Sequence, residues 1–253
     1  MSKEEFIKEC NRKAIEAIME FIEKFNILVD ERLIEDQINI PVTIGRTKTE
    51  MIEHAIAEYN EETDSITVNI EEFEREELTD YNNRNVQFYF IKAIVHERLH
   101  SLRRKKVENS EYKESYRVGM KDDSLISNTY ALEESLTEAL AIMITSNYLK
   151  NPNRSLEELR EEVEKYENNI GEGIAAIIIE KMQEAGLEWF LTTRYQENYR
   201  NILEEIFKED YQILCDELMM IYYTESSSPV KKEQLIEMIN RHFRSNIQNK
   251  AFS

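Results

Sequence analysis

Glycine and proline are scarce, with 5 and 3 in 253 residues. So few breaks exclude low-complexity linkers and predict long helices. Cysteine occurs only at Cys10 and Cys215, far apart and without C-x-x-C spacing, which predicts buried thiols rather than a disulfide. No apolar run approaches the ~20 residues that a membrane-spanning helix needs. The longest, "IAAIII" from Ile174 to Ile179, predicts a core segment. The opening "MSKEEFIKEC" has no apolar signal-peptide core, so a cytoplasmic location is expected. Basic residues are outnumbered, 32 Lys and Arg against 51 Asp and Glu, for a formal charge of −19. That excludes nucleic acid as a partner, because a phosphate backbone must be met by cations. It equally excludes anionic membrane surfaces. The acidity is read as a source of solubility.

The chain is long enough for one large core or for one domain with a helical extension. Residues 3 to 29 carry apolar positions at helical spacing. "INIPVTIG" (38–45) predicts a short strand. In "HAIAEYNEETDSITVNI" (54–70), Ile66, Val68 and Ile70 alternate with Thr67 and Asn69, and "NEETDS" supplies a turn, so a hairpin is predicted. Helix returns over 85–104, a polar loop or irregular hairpin follows over 107–128, and a second helix runs over 131–149. Ser155 and Glu158 have capping-box spacing at the next helix. The rest is helical in pattern, with a break near "TESSSP" (224–229). The fold class is α+β, mostly α: a unit with a small antiparallel sheet over 1–150, then an all-helical region over 151–253.

Histidine is also rare, with only 4 in the chain, yet two of them stand in "IVHERLHSL" (94–102). Four residues advance a helix by roughly 400°, so His96 and His100 are about 40° apart on one face and can reach one metal ion. Glu97 is turned roughly 100° from His96, poorly placed to bind beside the histidines but free to take a proton from a water activated at the metal. This is the mechanics of H-E-x-x-H on a helix. Phe88, Ile91, Ile94, Val95, Leu99 and Leu102 form the apolar back that would hold such a helix in a core. Arg98 projects beside that back, so it must reach out to water or find a carboxylate partner. The competing reading is a pair of surface histidines on an ordinary helix.

A catalytic zinc wants a third protein ligand and an open position. "LEESLTEALA" (132–141) places Glu134 and Glu138 four apart on one helical face. Leu132, Leu136, Ala139, Leu140 and Met143 form the opposite side. One carboxylate can bind metal while the other orients a ligand histidine.

H-E-x-x-H followed by this helix resembles the gluzincin zinc metallopeptidases, the thermolysin-like clan. It is similar to the zincin-like proteins of Firmicutes that carry an "L-N-E-x-x-T-E" helix and a helical tail. The resemblance covers about 85 to 150. It implies a zincin-like catalytic unit in which His96, His100 and Glu134 hold Zn²⁺, Glu97 is the general base and Glu138 supports a ligand histidine. It implies a zinc-dependent peptidase acting on a peptide or protein substrate. Glu133 replaces the family's Asn and becomes a rival ligand. The 33 residues between His100 and Glu134 exceed the thermolysin-type connection. Arg98 stands where zinc-protease helices carry an uncharged residue.

Peptide hydrolysis needs an oxyanion electrophile, often Tyr, His or Arg. Tyr130 is the nearest candidate, with Tyr116, Arg117 and the distant His242 as alternatives. His54 reads as a surface histidine. "RRKK" (103–106) complements the end of a helix, and "EEFEREE" (71–77) reads as a solvated acidic run. Three rival functions stand beside the general peptidase. One is a cytoplasmic regulatory protease specific for one protein partner. Another is a non-catalytic zincin-like binding scaffold. A di-iron bundle would need two E-x-x-H motifs, and only Glu97 to His100 supplies one.

Overall fold

The computed structural model describes residues 1–25, 27, 39–47, 55–60, 62–102, 104–106, 115–117, 130–166, 170–184, 199–224 and 229–250. The chain divides into two compact units, Met1–Tyr116 with Ala141–Asn153, and Arg117–Leu140 with Arg154–Ser253. It is mostly helical with a small three-stranded sheet.

The first unit opens with α1 (Lys3–Lys24). Ser2 Oγ accepts from the Glu5 amide at 3.2 Å, and the Glu5 carboxylate accepts from the Ser2 amide at 2.8 Å. This reciprocal pairing satisfies two donors that a helix start leaves over. Phe6, Cys10, Ala14, Ala17 and Phe21 recur every three or four residues and are buried. The Cys10 thiol is pushed up to about 12 by burial, which makes it an inert core residue. Both cysteines are buried thiols outside any disulfide, as expected.

That face of α1 packs on α2 (Arg84–Leu102). Phe6 stacks on Tyr81 at 4.4 Å and meets Phe90 edge-on at 5.3 Å, while Phe73 stacks on Phe90 at 5.0 Å. Such aromatic pairs add roughly 0.5–1.5 kcal/mol each beyond the burial of their area. The predicted apolar back of α2, from Phe88 to Leu102, is buried throughout.

The sheet holds β1 (Val42–Gly45), β2 (Ala57–Asn60) and β3 (Ser65–Asn69), in the order β1-β3-β2. β2 and β3 form the predicted hairpin, with Tyr59 opposite Ile66 and Ala57 opposite Val68. Asn60 Oδ1 accepts from the amides of Glu62 and Thr63 at 3.0 and 3.1 Å, and Asp64 takes the left-handed conformation at φ 51°. Asn and Asp tolerate such a turn because their short side chains bond the local backbone. Ile66 and Val68 are fully buried, but Ile70 lies beyond the strand and is exposed. The sheet is mixed rather than antiparallel, because β1 runs parallel to β3. A short turn forces antiparallel pairing on its own two strands only; the direction of β1 is set by a distant pairing that no local signal encodes.

Two more sequence expectations change here. "EEFEREE" is solvated at Glu71 and from Glu74 to Glu77, as expected, but Ile70–Glu74 is a tight helical turn in which Glu72 is buried and accepts from Tyr89 Oη at 2.6 Å and Arg75 at 3.0 Å. Of "RRKK", Arg104–Lys106 belongs to a strand, β4, paired with β5 (Ser115–Arg117), so these cations lie past the helix end.

α3 (Tyr130–Leu149) is one uninterrupted helix. Its final turns belong to the first unit, where Tyr148 Oη donates to Glu16 at 2.6 Å and Lys24 Nζ donates to Asn147 Oδ1 at 2.6 Å.

The second unit continues with α4 (Leu156–Tyr166), α5 (Ile170–Glu184), α6 (Tyr199–Phe207), α7 (Asp210–Thr224) and α8 (Pro229–Lys250). The capping box expected at Ser155 forms, with Glu158 taking the Ser155 amide at 2.7 Å and Ser155 Oγ taking the Glu158 amide at 3.2 Å. α4 buries Leu156, Leu159 and Val163, and Arg160 reaches Glu180 of α5 at 2.8 Å. Ile174 to Ile179 are buried, as expected of a core segment. In α6 and α7, Leu203, Ile206, Tyr211, Leu214 and Leu218 are buried and Ile213 is exposed. The break expected after Thr224 falls at 225–228, outside the described residues. No described helix is long and apolar enough to cross a membrane.

Candidate metal centre

α2 is buried nearly all round. From Phe90 to Leu102 only His96 and Glu97 escape burial. α3 behaves alike: from Ala131 to Asn147 only Glu134 and Glu138 do. Over these two stretches the partly exposed positions are therefore all motif side chains.

His96 and His100 turn their Nε2 atoms to within 2.9 Å of each other. The rings meet edge-on with centroids 4.7 Å apart. A tetrahedral ion at roughly 2.0–2.1 Å from each nitrogen would hold two such atoms about 3.3 Å apart, so the pair stands near the spacing a metal imposes. Glu134 offers a carboxylate oxygen, and the three ligand atoms lie within 4.8 Å of one another. Among the described residues this His96, His100, Glu134 group is the one that can hold a metal ion. Two neutral nitrogens and one anionic oxygen fit a divalent ion and leave a coordination position for water or substrate. His100 is 4% exposed.

The rival Glu133 is not part of that group. It is 1% exposed, and its main-chain carbonyl accepts from Thr137 Oγ1 at 2.8 Å. Glu138 is half-buried one turn after Glu134 and is also outside the group. Tyr130 is the first residue of α3, but its side chain lies outside the described residues, as do those of Tyr116 and Arg117 in β5. His54 lies outside them entirely. His242 is far from the motif in sequence and in the second unit, where Nε2 pairs with Asp210 Oδ2 at 2.8 Å and the ring packs on Phe207.

Glu97 is not among the ligands. Its Oε2 accepts from the Tyr59 amide on β2 at 2.8 Å. The register explains why that amide is available. Ile56 accepts from the Asn69 amide across the ladder at 2.9 Å, so residues of even number on β2 face β3 and Ala57 and Tyr59 turn their main-chain groups outward. β2 is an edge strand of its sheet, and that edge packs against α2. The Tyr59 ring is buried, and its hydroxyl donates to Asp64 Oδ1 at 2.7 Å.

Arg98 does not reach water. It is 0% exposed, with Nε and Nη2 donating to Asn11 Oδ1 at 3.2 and 2.6 Å and Nη2 to the Ile40 carbonyl at 3.4 Å. Burial pushes its pKa down to about 10. The guanidinium thus ties α1 and the segment before β1 to the back of α2, through the Asn11 side-chain amide and the Ile40 carbonyl. Neither Asn11 nor the Tyr59 amide carries a sequence signal: the first is an ordinary polar residue, and the second is backbone.

No known family model, curated protein or solved structure matches this chain. Its function is therefore read from the site itself.

Proposed function

We propose that the chain is a zinc-dependent peptidase of zincin type, similar to gluzincins, in which His96, His100 and Glu134 hold the metal. One observation carries the reading: over Phe90–Leu102 and Ala131–Asn147, otherwise buried, the positions that keep partial exposure are His96, Glu97, Glu134 and Glu138. A bound zinc ion would supply Lewis acidity and a water of lowered pKa. Glu97 takes a proton from the water as its oxygen bonds to the peptide carbonyl carbon. It then gives that proton to the nitrogen as the C–N bond breaks, releasing a carboxylic acid and an amine, which exchange the acid proton to leave as carboxylate and ammonium. Glu138, one turn from Glu134, is assigned to hold a ligand histidine in orientation. Tyr130 is assigned to the oxyanion.

Glu97→Gln tests this role against a binding scaffold. The variant should keep its zinc and its fold but lose hydrolysis of a peptide library by roughly 10²- to 10⁴-fold, the contribution expected of general acid–base catalysis. Equal cleavage by the variant would remove Glu97 from the chemistry. A zinc-loaded wild type that cuts a single cellular protein and no library peptide would narrow the reading to a regulatory protease.

A further inference from the structure

Resting on the peptidase reading, we infer that the Tyr59 main-chain amide is the positioning group for Glu97, so that β2 aims the general base. Three facts meet at one point. Glu97 Oε2 accepts from the Tyr59 amide at 2.8 Å. The strand register turns that amide outward, so it is not needed by the β3 ladder. The Tyr59 side chain is locked in place, 6% exposed and bonded to Asp64 at 2.7 Å.

A glutamate has three rotatable bonds, and a base works only when its oxygen is held within a fraction of an ångström of the proton it takes. A charge-assisted bond from a main-chain amide is among the firmest restraints available, because the strand itself cannot rotate away. With Oε2 held on β2, proton transfer falls to Oε1. The hairpin is itself fixed by its turn and by the buried Ile66 and Val68. The aim of the base is thus inherited from the sheet rather than from the helix that carries it.

The first test needs no catalysis. Amide hydrogen exchange is followed at Tyr59 in the full-length, zinc-loaded protein. Strong protection is expected in the wild type, with a loss of at least ~10-fold in Glu97→Ala while Glu58 and Asn60 are unchanged. A Tyr59 amide that exchanges freely once zinc is bound, or equally in both proteins, would overturn the inference. The second test compares Tyr59→Pro with Tyr59→Val. Both lose the ring, but only proline loses the N–H, and an outward-facing amide on an edge strand is where proline is tolerated. Expected are equal zinc content and KM, with kcat lower in Tyr59→Pro by roughly 10- to 100-fold. Equal kcat in the two variants would overturn the inference. If Tyr59→Pro fails to fold, the exchange result stands alone. If the wild type cuts no peptide, the peptidase reading fails while the exchange experiment still decides whether β2 holds Glu97.

Discussion

α4 and α2 are both helices of this chain, and a charged residue means different things on each. α4 buries a narrow line, Leu156, Leu159 and Val163, and leaves most other positions in or near water. A glutamate there is what an exposed helix face is made of. α2 is sealed from Phe90 to Leu102 except at His96 and Glu97, and within that sealed stretch sit Lys92, Arg98 and His100. Burying a charge without partners costs several kcal/mol, so each polar group on α2 has to be accounted for individually. Polarity on α4 is a background; on α2 it carries information.

Substitutions on the two helices should separate by orders of magnitude. The largest effect is expected at the histidines. Metal analysis of the purified wild type should find about one zinc per chain, and His96→Ala should reduce that to background. A variant that still holds stoichiometric zinc would return α2 to an ordinary buried helix. Next come the carboxylates of α3, which share the sealed character of α2. Glu134→Gln should remove most of the zinc affinity, Glu138→Gln should weaken it roughly 10- to 100-fold, and Glu133→Gln should leave it nearly unchanged. Zinc competition titrations with a chromophoric chelator measure all three, and loss at Glu133 instead of Glu134 would move the ligand by one position.

Arg98→Ala should destabilise the fold by about 3 kcal/mol, because it empties a fully buried site and abandons Asn11 Oδ1. Urea unfolding reads this, and zinc content at low denaturant should survive. The smallest effect belongs to α4. Glu161 pairs with Lys165 at 3.6 Å where both side chains are about half exposed or more. Glu161→Ala should shift stability by less than about 0.5 kcal/mol in the same assay. A large change there would mean that α4 is not the generic helix it resembles.

What the sequence made legible follows the same division. The predicted helices at 85–104 and 131–149 match Arg84–Leu102 and Tyr130–Leu149 closely, because their apolar backs repeat at helical spacing. The hairpin was readable from the alternation of Ile66 and Val68 after a polar turn with Asn60 and Asp64. The capping box at Ser155 was readable because its two partners are three residues apart. The His96, Glu97, His100 pattern was equally local. Less legible was whatever joins residues distant in the chain. β1 meets β3 in parallel across more than twenty residues, Arg98 finds Asn11 from 87 residues away, and Glu97 finds an amide 38 residues earlier. None of those pairings leaves a spacing to count, and one of them involves no side chain on β2 at all.

The outward turn of the Tyr59 amide has an odd-and-even consequence. In an antiparallel pair, a slip of one residue rolls the whole strand over. A slip of β2 against β3 would therefore do two things at once: swing the Tyr59 amide from Glu97 to the ladder, and turn the Tyr59 ring from the core to the surface. Insertions or deletions at 61–64 are consequently ranked by parity as well as by size. Changes absorbed within the turn keep both arrangements, and changes that push an odd number of residues into β2 destroy both together. The length of a surface turn, more than thirty residues before His96, is thereby under the same constraint as the core.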